Sequence, residues 1–298
     1  MGSEARAMGG QAVVEGVMMR GETRWAVAVR TPEGDIEVEV HDVPGWAERY
    51  AKIPLVRGVM NLAESMRLGM QALTWSANLH MPEEERLSGK AMGVTVAFSM
   101  LLFVGIFILV PALGARGLGS LFGLSGVAFH ALEGVLVLTI FLGYLTLIGR
   151  MAEIRKVFQY HGAEHKAIAA YENDVPLTPE SAQTFTTAHV RCGTNFLLTV
   201  LTLAIVVYSL IGRPALPYLI LSRIILIPVI AGLAYEFIRF AARHMEKRWV
   251  RTAMVPGLTL QKLTTREPSL DQIEVAIAAL RAVFTAEQTT EVDARIAA

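Results

Sequence analysis

Cysteine is almost absent: Cys192 is the single one among 298 residues, so no disulfide can form within the chain. That fits a reducing compartment, or a thiol kept for chemistry. Charge is also scarce, at 18% Asp, Glu, Lys and Arg, against about 25% in an ordinary soluble domain. The formal net charge is zero, which offers no electrostatic footing for nucleic acid, and no nucleic-acid partner is expected. Residues 1–20 hold Glu4, Arg6, Glu15 and Arg20 with no apolar core, so no cleavable secretory signal is expected. The glycine-rich opening, Gly9 to Gly21, lacks the Lys and Ser/Thr of a phosphate-binding loop and is no dinucleotide fingerprint. No internal repeat or low-complexity segment is present.

What the chain has in abundance is apolar sequence, 53% of residues with a mean hydropathy of +0.44, gathered into blocks. Four runs, 91–113, 127–148, 194–212 and 217–240, are each near the roughly 20 residues needed to cross a hydrocarbon core. Lys and Arg are distributed unevenly around them. Residues 1–90 hold ten, the segment Arg150–Arg191 five and the stretch from Arg239 onward nine. The loop between the first two runs holds only Arg116, and that between the last two only Arg213. The positive-inside rule then places both termini and the middle segment in the cytoplasm.

The expected fold is mainly α: a polytopic helical membrane protein with four spans, a small cytoplasmic α+β N-terminal domain and a helical C-terminal tail. Residues 1–90 form that domain, 91–240 the transmembrane region with a cytoplasmic motif loop at 149–193, and 241–298 the tail. Ile36 to Val40 alternates strictly, and Thr31-Pro32-Glu33-Gly34-Asp35 supplies a turn before it, so a hairpin with Trp25–Val29 is predicted. A helix follows Pro54, with Val59, Leu62, Ala63, Met66, Met70, Leu73 and Ala77 as its apolar stripe and Glu64 on the opposite side. In the tail, Ser269 and Gln272 have capping-box spacing ahead of a helix at about 269–285, with fraying beyond Ala286.

The stretch richest in chemistry is Tyr160-His161-Gly162-Ala163-Glu164-His165-Lys166. His161 and His165, four apart, project from one side of a helix. The H-x-x-E-H pattern is that of inverted zincins, whose glutamate activates a metal-bound water. The expected cofactor is a divalent metal, zinc by donor type, ligated by His161 and His165 with Glu164 as general base. A catalytic zinc needs a third protein ligand, and His189, Cys192 and Glu236 are the candidates. Arg191 could stabilise a developing anion. The bland reading is a polar network fixing the loop against the spans. Against it stands the concentration of three histidines and the cysteine within residues 161–192. Inside the spans, Glu133 and Arg223 fall at similar depth and are predicted to pair, with His130 beside them.

The segments Gly10-Gln11-Ala12-Val13-Val14-Glu15-Gly16-Val17-Met18-Met19-Arg20-Gly21, Tyr160–Lys166, Arg191-Cys192-Gly193-Thr194-Asn195-Phe196 and Pro256–Pro268 together resemble the YqhQ-like bacterial membrane protein family of unknown function. The resemblance implies a polytopic protein of the bacterial cytoplasmic membrane, predicted to be a metal-dependent enzyme. It names no reaction. The expected partner is the lipid bilayer, with a homo-oligomer left open. The expected activity is metal-dependent hydrolysis at the cytoplasmic interface. The alternatives are a non-enzymatic scaffold or assembly factor, and a small transporter using Glu133 and Arg223.

Overall fold

A computed structural model describes residues 8–86, 88–211 and 215–297. The chain opens with an antiparallel four-stranded sheet in sequential order, β1 (Gly9–Val13), β2 (Gly16–Arg20), β3 (Arg24–Arg30) and β4 (Ile36–Asp42). The predicted hairpin is β3–β4, with Arg30 opposite Ile36 and Ala26 opposite Val40. Ten helices follow among the described residues: α1 (Val56–Leu79), α2 (Gly89–Val104), α3 (Val110–Leu121), α4 (Gly126–Ile148), α5 (Ala152–Glu172), α6 (Pro179–Gln183), α7 (Gly193–Ile211), α8 (Leu216–Arg243), α9 (Arg248–Thr264) and α10 (Leu270–Ala297).

Among the described residues, four helical stretches are long and apolar enough to cross a membrane: Gly89–Leu121, Gly126–Ile148, Gly193–Ile211 and Leu221–Arg243. This is the architecture of a multi-pass membrane protein. The expected end of the third span at Gly212, and the loop residue Arg213, lie outside the described residues. The first span runs well past the expected boundary at 113. A π-helical turn at Gly105–Leu109 joins α2 to α3 and places Pro111, which has no N–H to give, in the first turn of α3. The glycine-rich sequence after it read as a loop. It stays helical because Ala112, Ala115 and Gly119 are buried and let α3 approach α4 closely. At about 1.5 Å per residue, this 33-residue stretch exceeds the roughly 30 Å hydrocarbon core, so it tilts or extends beyond it.

The three segments outside the spans share one core. Met19, Ala26 and Ala28 of the sheet pack with Tyr160, Ala163 and Ala167 of α5 and with Ile273, Ile277 and Leu280 of α10. The tail helix is thus built into the body, and its predicted cap is present: Ser269 N–H donates to Gln272 Oε1 at 3.0 Å and Gln272 N–H to Ser269 Oγ at 3.4 Å. The helix continues past Ala286 to Ala297 rather than fraying there.

The other sheet face is covered by α1, where Leu68 and Ala72 pack on Val13, Trp25 and Val27. The apolar stripe read from the sequence is not the buried one. Met66 is 54% exposed, whereas Glu64 is 1% exposed. Glu64 is drawn inward because it pairs with Arg20 on β2 and accepts from the Ala47 N–H. Its neighbours Gly58 and Gly69 admit Tyr235 and Gln11 at close range.

Candidate metal centre

α5 carries two faces with different tasks. Tyr160, Ala163, Ala167 and Ala170 are small or apolar and bury against the sheet and α10. One step around the helix, His161 and His165 face the segment before α7 that holds Thr187 and Cys192. The two imidazoles lie edge to face, 4.5 Å between centroids.

Each histidine is oriented by a backbone carbonyl. His161 Nδ1 is 2.8 Å from the Thr264 carbonyl at the end of α9, and His165 Nδ1 is 2.5 Å from that of Thr187. A carbonyl only accepts, so both Nδ1 atoms donate to it, which leaves Nε2 as the atom each ring can offer a metal. Burial holds the His165 imidazole below its ordinary pKa, although Cys192 pulls the other way. The neutral form is the metal-binding form.

Cys192 closes the group. Its Sγ lies 3.3 Å from His161 Nε2 and accepts from the Thr194 N–H at 3.4 Å. Ligand atoms of His161, His165 and Cys192 all lie within 4.8 Å of one another. Two nitrogens and a sulfur form a zinc-type donor set. Cys192 is placed there by the start of α7, where its carbonyl accepts from the N–H groups of Asn195 and Phe196.

Glu164 is buried, at 6% exposure, and packs on Gly10 of β1, where an added Cβ would come 2.8 Å from its Cγ. Burial pushes its carboxyl above the ordinary pKa, with His161 and His189 opposing.

The remaining sequence candidates sit elsewhere. His189 is adjacent, its ring 5.5 Å from that of His165, but its Nε2 faces Glu172 Oε2 at 3.4 Å. Glu172 also takes Arg191 in an ion pair. Arg191 is therefore engaged with a carboxylate instead of aimed at an open anion position. Glu236 is not in the cluster at all. Arg57 of α1 donates to it through Nε at 2.7 Å and Nη2 at 2.5 Å, and the Leu55 N–H donates to it at 3.3 Å. It anchors α1 to α8. Glu133 and Arg223 form a buried pair, with Arg223 Nη2 at 2.8 and 2.7 Å from the two carboxylate oxygens and His130 Nδ1 3.3 Å from Glu133 Oε2.

Several residues that the sequence reading did not assign support the cluster. Gln261 clamps the His189 backbone from both sides, accepting from its N–H at 2.9 Å and donating to its carbonyl at 2.8 Å. Asn195 donates to the carbonyls of His189 and Val190. Gly162 gives the Arg266 carbonyl room to lie against α5, and the Arg266 N–H bonds the Phe158 carbonyl at 2.8 Å. That contact brings the neighbouring Thr264 carbonyl to His161. All of these residues lie in or beside the four segments that carried the family resemblance. Their convergence was the available signal.

Residues 53–286 match a family described as "Protein of unknown function (DUF1385)". The chain is 33% identical, over 303 aligned residues, to the "Uncharacterized protein YqhQ" of Bacillus subtilis (strain 168), covering 96% of this chain and 94% of that protein. No solved structure matches it.

Proposed function

The chain belongs to the DUF1385 family, a membership that supplies no reaction, and we propose that it is a metal-dependent hydrolase acting at the membrane interface. One observation carries the reading: both histidines give Nδ1 to a backbone carbonyl, and ligand atoms of the two rings and of the Cys192 thiol converge within 4.8 Å of one another. His161, His165 and Cys192 would hold one divalent ion, zinc by donor type. Three protein donors leave a position for water or substrate, the arrangement of catalytic rather than structural zinc. When bound, the ion would act as a Lewis acid and ease ionisation of water.

Glu164 takes and returns the proton in this reading, since it shares the helix arc of the ligands and has no ion-pair partner among the described residues. His189 is a positioning residue, held by Glu172 and Gln261 against the His165 ring. The substrate approaches near the bilayer surface, because Cys192 directly precedes α7 and Thr194 bonds the Thr264 side chain at 3.0 Å. The soluble body faces the cytoplasm of a bacterial membrane, as the Lys and Arg bias around the spans favours.

Metal analysis of the purified full-length protein tests this. The parent should hold about one zinc per chain, and His161→Ala with His165→Ala should hold none while keeping its helical signal and unfolding midpoint in detergent. Metal-free parent protein after zinc loading, with the fold intact, would overturn the reading and leave the scaffold role.

A further inference from the structure

We propose that the outer flank of α9 is a binding surface for anionic phospholipid headgroups. α9 lies across the ends of three spans. Val250 and Met254 pack on Ile238 and Ala241 at the end of α8, and Leu260 packs on Phe141 and Leu145 near the end of α4. That buried face fixes the helix at the level where the hydrophobic spans meet the polar body.

The opposite face carries Arg248, Arg251 and Lys262, all exposed. α9 contains no Asp or Glu, and Glu246 is the one acidic residue between Arg239 and Arg266. No carboxylate among the described residues pairs with those three cations. Beside them Trp249 is 56% exposed and Val255 51%. Trp249 stacks on Phe240 of α8 with ring centroids 5.8 Å apart, which seats its indole at the end of a span. An exposed indole at that level matches the aromatic belt of membrane proteins. Unpaired cations flanking it match headgroups of net negative charge better than a zwitterionic surface. Continuity with α8 favours the bilayer over a soluble polyanion. The same helix ends in Gln261 and Thr264, which bond His189 and His161, so headgroup binding would also steady one wall of the histidine cluster.

Near an anionic surface each Lys or Arg contributes roughly a fivefold gain in affinity. Full-length protein in phosphatidylcholine mixed micelles should show a rising unfolding midpoint as phosphatidylglycerol is titrated in, and phosphatidylglycerol should stay bound in native mass spectra. Added phosphatidylcholine or free glycerol phosphate should give neither effect. The variant R248Q/R251Q/K262Q should bind phosphatidylglycerol on the order of 100-fold more weakly, if the three cations act independently. Parent-like affinity in that variant would overturn the proposal. So would an equal response to phosphatidylcholine or to free glycerol phosphate. If the variant does not fold, salt decides: parent affinity for phosphatidylglycerol must fall as ionic strength rises, and a flat response overturns the proposal.

Discussion

His161 Nε2 lies 3.3 Å from Cys192 Sγ, joining α5 to the start of α7 across 31 residues of sequence. If the two share a metal, the thiol is shielded when the metal is present. Zinc should slow alkylation of Cys192 by iodoacetamide at least tenfold in the parent. His161→Ala should remove that protection while leaving the thiol reactive. Equal alkylation rates with and without zinc in the parent would count against shared ligation, whatever other groups bind.

The close approach of Gly162 to the Arg266 carbonyl gives a second test. A methyl group there has no room unless the chain after α9 moves, and that chain brings the Thr264 carbonyl to His161. Gly162→Ala should destabilise the protein by about 1–3 kcal/mol, the usual range for overpacking, and should also weaken zinc binding. Gly257→Ala, which would press on the Asn195 side chain, should give a similar drop in unfolding midpoint. Comparing zinc affinity in the two variants separates general loosening from loss of the His161 orientation.

These contacts mark where the sequence was readable. Alternation was enough for the β3–β4 hairpin and run length for the apolar spans, because each is a local pattern, whereas the segment expected as a motif loop at 149–193 holds the 21-residue helix α5. The pairing of Glu133 with Arg223 followed from depth alone, since two charges in apolar helices have few other partners. Long-range choices were not readable. Glu236 has the charge and position of a ligand, but Arg57, 179 residues away in sequence, binds it. Glu64 looked like a surface residue on its own helix, until the sheet brought Arg20 to it. Nor does sequence spacing reveal a carbonyl, so the roles of Thr187 and Thr264 appear only in three dimensions.

Glu172 supplies a pH test. Burial alone would raise its carboxyl pKa, but hydrogen bonds from His189 and Arg191 outweigh it and hold the pKa below the ordinary value. A depressed folded-state pKa means the unfolded chain binds more protons. The stabilisation is therefore present above the unfolded value of about 4.3 and is lost as pH falls through the folded one. Glu172→Gln should lower stability near pH 7 by about 1 kcal/mol, modest because the side chain is 25% exposed. The difference from the parent should shrink as pH falls below about 4.3 and vanish only below the depressed folded-state value. Unfolding curves of both proteins across that range check the sign, and a difference that grows toward acid would refute the assignment.

The pair inside the spans sets the last expectation. Arg223 donates to both oxygens of Glu133 and lies 3.5 Å above the Tyr208 ring, with its side chain 5% exposed. Removing one partner leaves a charge that neither lipid nor neighbouring helices can solvate. Glu133→Ala and Arg223→Ala should each cost about 3–5 kcal/mol, read from unfolding in mixed micelles. The exchanged pair, Glu133→Arg with Arg223→Glu, should recover part of that loss. Recovery will be incomplete, because an arginine at 133 faces His130, whose Nδ1 now approaches the carboxylate at 3.3 Å. Adding His130→Ala should then bring the exchanged pair closer to the parent. Single substitutions without effect would show that the pair contributes little to helix association.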